Sequence, residues 1–102
     1  MQTYTAKRVE ILIEAPMESR LTAALTAAGV KGFSVLPVLG GAGQSGRWSA
    51  DGQLGRAGMG AGICLVDPAR LEPLLDAAFG VVERHIGLIN VTDAQVIRKA
   101  RF

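Results

Sequence analysis

The chain is divided near its middle by a glycine-rich stretch, residues 39–62, which reads LGGAGQSGRWSADGQLGRAGMGAG. Nine of the 13 glycines in the 102-residue chain lie within it. Glycine weakens a helix or strand interior by up to about 1 kcal/mol per residue, so this composition predicts a flexible loop that is neither helix nor strand. Structureless loops of this length in compact domains are usually functional or disordered. We therefore expect the rest of the chain to be a small frame that presents this loop.

The segment before the loop predicts a strand, a helix and a second strand. Apolar side chains alternate along residues 8–15 with the period of two that is typical of a half-buried strand. Pro16 then suits the first turn of a helix, and Gly29 suits its C-terminal cap. Residues 30–38 predict the second strand, and Pro37 within it indicates an edge of the sheet because proline cannot donate a ladder hydrogen bond.

The segment after the loop repeats this order. The apolar run at residues 63–66 predicts a buried strand, and Asp67 followed by Pro68 is typical of a helix start. The apolar residues at helical spacing in this second helix are Leu71, Leu74, Leu75, Ala78 and Val82. Gly80 interrupts the helix, and we expect another backbone to approach it there. Residues 88–97 predict the last strand.

These two β-α-β halves predict an α+β fold of the ferredoxin-like type, as a single domain over residues 1–102. In this arrangement an antiparallel sheet carries both helices on one face. Leu12, Leu36 and Val38 place apolar side chains on the other face as well. We expect that face to pack against further copies of the chain in a closed cyclic oligomer.

Composition and charge exclude several classes of function. The net charge of +2 comes with little aromatic interleaving, so we expect no nucleic-acid partner. No apolar run approaches the 18 residues of a membrane span, and the N-terminal residues lack a signal-peptide pattern. A single cysteine, Cys64, fits a reducing compartment, so we predict a cytoplasmic protein.

The residue pattern does not predict catalysis. One cysteine and one histidine lie far apart in the chain, so no metal is expected. Glu10 and Glu14 are about 13 Å apart along a strand, which is too far for shared acid–base chemistry. The glycines that follow the second strand allow backbone N–H groups to approach an anion, although a merely solvated loop explains the composition equally well. Arg47 and Arg98 add guanidinium groups suited to phosphate.

Several segments resemble P-II-type signal transduction proteins. Residues 29–35, GVKGFSV, and residues 40–46, GGAGQSG, resemble the second strand and the start of that family's regulatory loop. Residues 63–69, ICLVDPA, resemble its third strand and the entry to its second helix. QVIR at residues 95–98 resembles the last strand with its phosphate-binding arginine. The short connector at residues 85–87 is more similar to the divergent P-II-like branch, which includes carboxysome-associated and bicarbonate-transporter-associated members.

The resemblance implies a non-enzymatic homotrimeric sensor of the nitrogen-regulatory type that holds an adenine nucleotide between subunits. It favours AMP or ADP over ATP, adds bicarbonate as a candidate ligand, and implies a target protein, such as a membrane transporter or a carboxysome component, contacted by the loop. With Arg47 added for its phosphate-suited charge, the predicted binding residues are Ser34, Gly40, Gly41, Gly43, Gln44, Arg47, Gly87, Arg98 and Arg101.

Two alternatives keep the fold and change the ligand. One is a trimeric divalent-metal-binding protein of the copper-tolerance type, against which the scarcity of cysteine and histidine argues. The other is a small acylphosphatase-like enzyme, which requires an anion-binding turn after the first strand. Here that turn contains Glu14 and Pro16, so it is anionic and lacks one backbone donor.

Overall fold

The computed structural model of the chain describes residues 1–43, 46–49 and 58–98. Four strands form one antiparallel sheet in the order β2-β5-β1-β6, and two helices cover one of its faces. The elements are β1 (Tyr4–Glu14), α1 (Glu18–Ala27), β2 (Phe33–Val38), β3 (Gly40–Gly43), β4 (Gly46–Ser49), β5 (Met59–Val66), α2 (Leu71–Val82) and β6 (Gly87–Val96). The predicted α+β, ferredoxin-like architecture is confirmed.

The core lies between the central strand β1 and the two helices. Val9, Ile11 and Ile13 are fully buried, as their alternation predicts. The helix residues packed over them are Leu21, Leu25, Leu74, Ala78 and Val82. A short 3₁₀ turn precedes each helix, and both of these turns contain the predicted proline.

The helix boundaries have local causes that the sequence revealed. Gly29 adopts a φ of 85°, and Val30 donates its N–H to the carbonyl of Leu25, which closes α1 in the manner of a C-terminal glycine cap. The carboxylate of Asp67 accepts the Ala69 N–H at 3.0 Å, which provides the predicted N-cap.

The prediction that residues 39–62 contain no strand is wrong. Within this stretch β3 pairs with β4 in a separate two-stranded sheet, and β5 begins at Met59. Met59 pairs with Val38 on one side and with Glu14 on the other. The intrinsic cost of glycine is overcome here because the backbone of β5 is hydrogen-bonded to a neighbour along both edges.

Gly87 at the start of β6 has a packing role that Gly80 in α2 lacks within the described residues. Apart from the helix's own backbone, no atom of the described residues lies within 4 Å of a Cβ built on Gly80, so the close approach expected there is wrong within this part of the chain. The close approach occurs at Gly87, where a Cβ would lie 2.6 Å from the Leu12 carbonyl oxygen and 2.9 Å from Val82 Cγ1. The end of α2 and the backbone of β1 therefore leave no space for a side chain where β6 begins.

The sheet face opposite the helices exposes apolar side chains, as predicted. Leu36, Leu65 and Leu88 on this face are 47%, 37% and 57% exposed. Near its centre Glu10 accepts hydrogen bonds from Arg8 at 3.4 Å and from Asn90 at 3.5 Å. Among the described helices, none is long and apolar enough to cross a membrane.

Candidate functional site

The predicted loop residues lie together at one edge of the sheet. Gly40, Gly41 and Gly43 form β3, which follows directly on the edge strand β2, and Arg47 stands opposite Ala42 on β4. All of these residues are exposed. The hairpin formed by β3 and β4 therefore presents the Arg47 guanidinium opposite β3, in which no side chain is larger than methyl. Exposed backbone amides beside a guanidinium are suited to an anion.

Gly87 lies at the same end of the sheet but on the opposite edge. It pairs with Ile13, which pairs with Gly60, which in turn pairs with Pro37 near the end of β2. Three strand spacings of about 4.8 Å separate β6 from β2, or about 14 Å. Gly87 and the hairpin therefore lie at the same end of the sheet but on opposite edges of it.

Arg98 lies at the other end. It follows β6 beyond Val96, whose partner Tyr4 is the first residue of β1. The nine residue steps from Gly87 to Val96 span about 30 Å of strand. Within one chain, Arg98 and the hairpin are thus separated both along the strands and across the sheet.

Ser34 occupies a third position, as the exposed second residue of β2. It pairs with Ile63, so it is level with the centre of the sheet. The predictions for Gln44 and Arg101 lie outside the described residues. One chain therefore brings together the hairpin residues only, and leaves Ser34, Gly87 and Arg98 at separate places along its edges.

The sequence did not reveal a polar contact beside Gly87. Glu14, the last residue of β1, accepts the backbone N–H of Ile86 through Oε1 at 3.1 Å, and His85 Nδ1 lies 3.9 Å from the same oxygen. The partners are 72 residues apart in the chain, and no spacing rule connects them. The local signal was an acidic residue at a strand end, which has many other uses.

Cys64 is buried, and the metal-ligand side chains do not cluster among the described residues. Cys64 is 1% exposed in the core, and burial raises the pKa of its thiol to about 11, so it stays protonated at neutral pH. In the described part of the chain, no group of three or more His, Cys, Asp or Glu side chains could hold a metal ion.

Comparison with known proteins assigns the chain to a family. The model of the family described as nitrogen regulatory protein P-II matches residues 6–101, so the chain belongs to the P-II family of regulatory proteins. No curated protein sequence matches it.

Solved structures place the chain within the P-II-like branch. CPII, a nitrogen regulatory PII-like protein from Thiomonas intermedia K12, was solved with ADP, AMP and bicarbonate; it is 29% identical over 99% of this chain and 96% of that one, with a TM-score of 0.90. A structure of CPII with ADP and bicarbonate is 32% identical over 99% and 97% of the two chains, with a TM-score of 0.85. These matches confirm the resemblance to the divergent branch.

A more distant structure shows the fold alone. A putative PII-like signaling protein from Thermus thermophilus is 18% identical over 100% of this chain and 99% of that one, with a TM-score of 0.79. The arrangement of strands and helices is therefore kept at low sequence identity.

Proposed function

We propose that the chain is a non-enzymatic cytoplasmic sensor that binds AMP or ADP in clefts between the subunits of a homotrimer. The observation that carries the proposal is the separation of the predicted phosphate-binding groups onto opposite edges and ends of one chain. A cyclic trimer joins two different surfaces of the chain at each interface, so it can bring opposite edges of neighbouring subunits together. In such an oligomer, the hairpin of one subunit and Arg98 of the next can meet the same nucleotide.

The exposed sheet face supports assembly of this kind. Leu36, Leu65 and Leu88 lie on a face that the helices do not cover, and each is more than a third exposed. Burying apolar surface contributes about 25 cal/mol per Å², so three leucines on every subunit favour a closed assembly. The polar cluster of Arg8, Glu10 and Asn90 then adds directional contacts at the centre of that face.

The small number of cationic side chains in the connector favours AMP or ADP over ATP. The connector at residues 85–87 contains one histidine and no lysine or arginine. A triphosphate carries more negative charge than a diphosphate and needs more paired cations to offset its desolvation. CPII, with ADP and AMP bound, supports the same choice. Bicarbonate, which CPII also binds, is the second ligand that we propose.

The regulatory output of the proposal is a change at the hairpin. The β3–β4 ribbon forms its own two-stranded sheet, which is separate from the main sheet in the part of the chain that the structure describes. Isolated two-stranded ribbons are only marginally stable in water, so ligand contacts at their base can decide their conformation. We propose that this element binds or releases a target protein, either a membrane transporter or a carboxysome component, in nitrogen or bicarbonate regulation.

Calorimetric titration with AMP, ADP and ATP, each with and without bicarbonate, tests the nucleotide part. We expect saturable binding of AMP or ADP that is tighter than binding of ATP. Arg98→Ala should weaken ADP about tenfold or more, because a charge-assisted hydrogen bond to phosphate is lost. Arg20→Ala, on the exposed side of α1, is the matched control and should bind as the wild type does. Absence of heat and of thermal stabilisation with every nucleotide would refute the proposal.

A further inference from the structure

The end of β1 holds the connector in front of β6 through a side chain. Backbone pairing between β1 and β6 ends with Ile13 opposite Gly87. One residue further, Glu14 replaces the missing backbone partner, because its Oε1 accepts the Ile86 N–H at 3.1 Å. The Glu14 side chain is 39% exposed, so water competes for this hydrogen bond but does not surround it.

The next residue, Ala15, holds the segment directly before β5. Ala15, which is 7% exposed, donates its N–H to the Gly58 carbonyl at 2.8 Å. Gly58 directly precedes β5, where the chain returns to the main sheet. Glu14, the last residue of β1, and Ala15 directly after it therefore fix two segments that are distant in sequence.

A third contact also joins β5 to the junction between β1 and α1. Gly60 pairs with Ile13, and a Cβ at Gly60 would collide with the Glu18 carboxylate at the start of α1. The first residues of β5 therefore lie directly against the β1–α1 junction. The junction, residues 14–18, therefore contacts the connector at residues 85–87 on one side and the start of β5 on the other.

We propose that Glu14 is a positioning residue for the nucleotide site, and this inference rests on the function proposed above. By accepting the Ile86 N–H, the carboxylate sets the conformation of the connector and of Gly87 before the ligand arrives. A segment that is ordered in advance loses little further conformational entropy on binding. The adjacent Ala15–Gly58 hydrogen bond couples that conformation to the start of β5.

Two substitutions separate the hydrogen bond from the charge. Glu14→Ala removes the acceptor, and we expect the affinity for ADP to fall about three- to tenfold, as loss of one partly exposed hydrogen bond to a charged group implies. Glu14→Gln keeps an oxygen that can accept the Ile86 N–H, so ADP should bind within about twofold of wild type. Asp76→Ala, on the exposed side of α2, loses the same charge elsewhere and should leave the affinity unchanged.

Amide hydrogen exchange in the ligand-free protein supplies a readout that does not depend on nucleotide. The Ile86 amide should exchange about three- to tenfold faster in Glu14→Ala than in wild type, and at the wild-type rate in Glu14→Gln. The amides of the core strand β1 should keep their protection in both variants, which shows that the fold is intact.

The outcomes distinguish this inference from the proposed function. If the wild type binds no nucleotide, the proposed function fails, and the exchange rate of Ile86 still tests whether Glu14 orders the connector. If the wild type binds ADP and Glu14→Ala binds it equally well, the positioning role is overturned. Equal weakening in Glu14→Ala and Glu14→Gln would also overturn it, because the effect would then follow the charge and not the hydrogen bond.

Discussion

Replacing Gly87 with alanine tests the close packing at the start of β6. The new methyl group would lie 2.6 Å from the Leu12 carbonyl oxygen, about 0.8 Å short of ordinary van der Waals contact. It would also lie 2.9 Å from Val82 Cγ1. Val82 could change rotamer, but the Leu12 carbonyl belongs to the central strand and cannot move alone. Overpacking of this kind costs about 1–3 kcal/mol, which for a domain of this size lowers the Tm by about 5–20 °C.

Thermal unfolding followed by circular dichroism measures this effect, at matched protein concentrations because assembly shifts the Tm. Gly80→Ala is the control, since the position is inside α2 and its Cβ has open space around it among the described residues outside that helix's backbone. That variant should raise stability by about 0.5–1 kcal/mol. A wild-type Tm for Gly87→Ala would refute the packing argument and would leave ligand contact as the remaining reason for glycine there.

Three further predictions concern a helix cap and the buried cysteine of the core. Asp67→Ala should lower the free energy of unfolding by about 1 kcal/mol, seen as a lower urea midpoint, because the Ala69 N–H loses its acceptor; an unchanged midpoint would contradict the capping role of Asp67. Cys64 should react with a thiol reagent at pH 8 only after unfolding, and rapid labelling of the native protein would contradict the burial of its thiol. Because burial raises the pKa of Cys64 from 9.0 to about 11, stability should fall as the pH rises through that interval, and Cys64→Ala should lose this dependence.

The sequence predicted the elements whose causes are local. The alternation of Val9, Ile11 and Ile13 determined which face of β1 is buried, and Asp67 with Pro68 marked the start of the second helical segment. These signals need only a few neighbouring residues, so they can be read without knowing the tertiary structure.

The sequence failed where distant backbones determine the structure. Composition predicted a loop at residues 40–43 and 59–62, yet hydrogen bonds from neighbouring strands make both segments extended. The sequence led us to expect a close approach at Gly80 and a ligand contact at Gly87, whereas the approach of the Leu12 carbonyl gives Gly87 a packing role. The Glu14–Ile86 hydrogen bond joins residues 72 positions apart, which no local pattern encodes.

The sequence predicted which residues bind the ligand, but not where these residues lie relative to one another. Resemblance and charge selected Ser34, Gly87 and Arg98 together with the hairpin residues, and their roles in binding stay predictions. The sheet order then separates these positions across three strand spacings and along the full length of β6. Proximity between them depends on the contact of one subunit with the next, which no pattern within a single chain specifies.

Mixed trimers of two variants test most directly whether each nucleotide site is shared between two subunits. Arg47→Ala impairs the hairpin and Arg98→Ala impairs the far end of β6, and each variant alone should lose high-affinity ADP binding at all of its sites. Differently tagged copies of the two variants can be co-expressed, and mixed trimers isolated over both tags. If each site combines the hairpin of one subunit with Arg98 of its neighbour, every mixed trimer contains one interface with both arginines intact.

Calorimetry of the mixed trimers should therefore show one ADP bound per trimer with wild-type affinity. If Arg47 and Arg98 of the same chain served one site, no mixed trimer could contain an intact site. Mixed trimers that bind ADP no better than either variant alone would contradict the shared site.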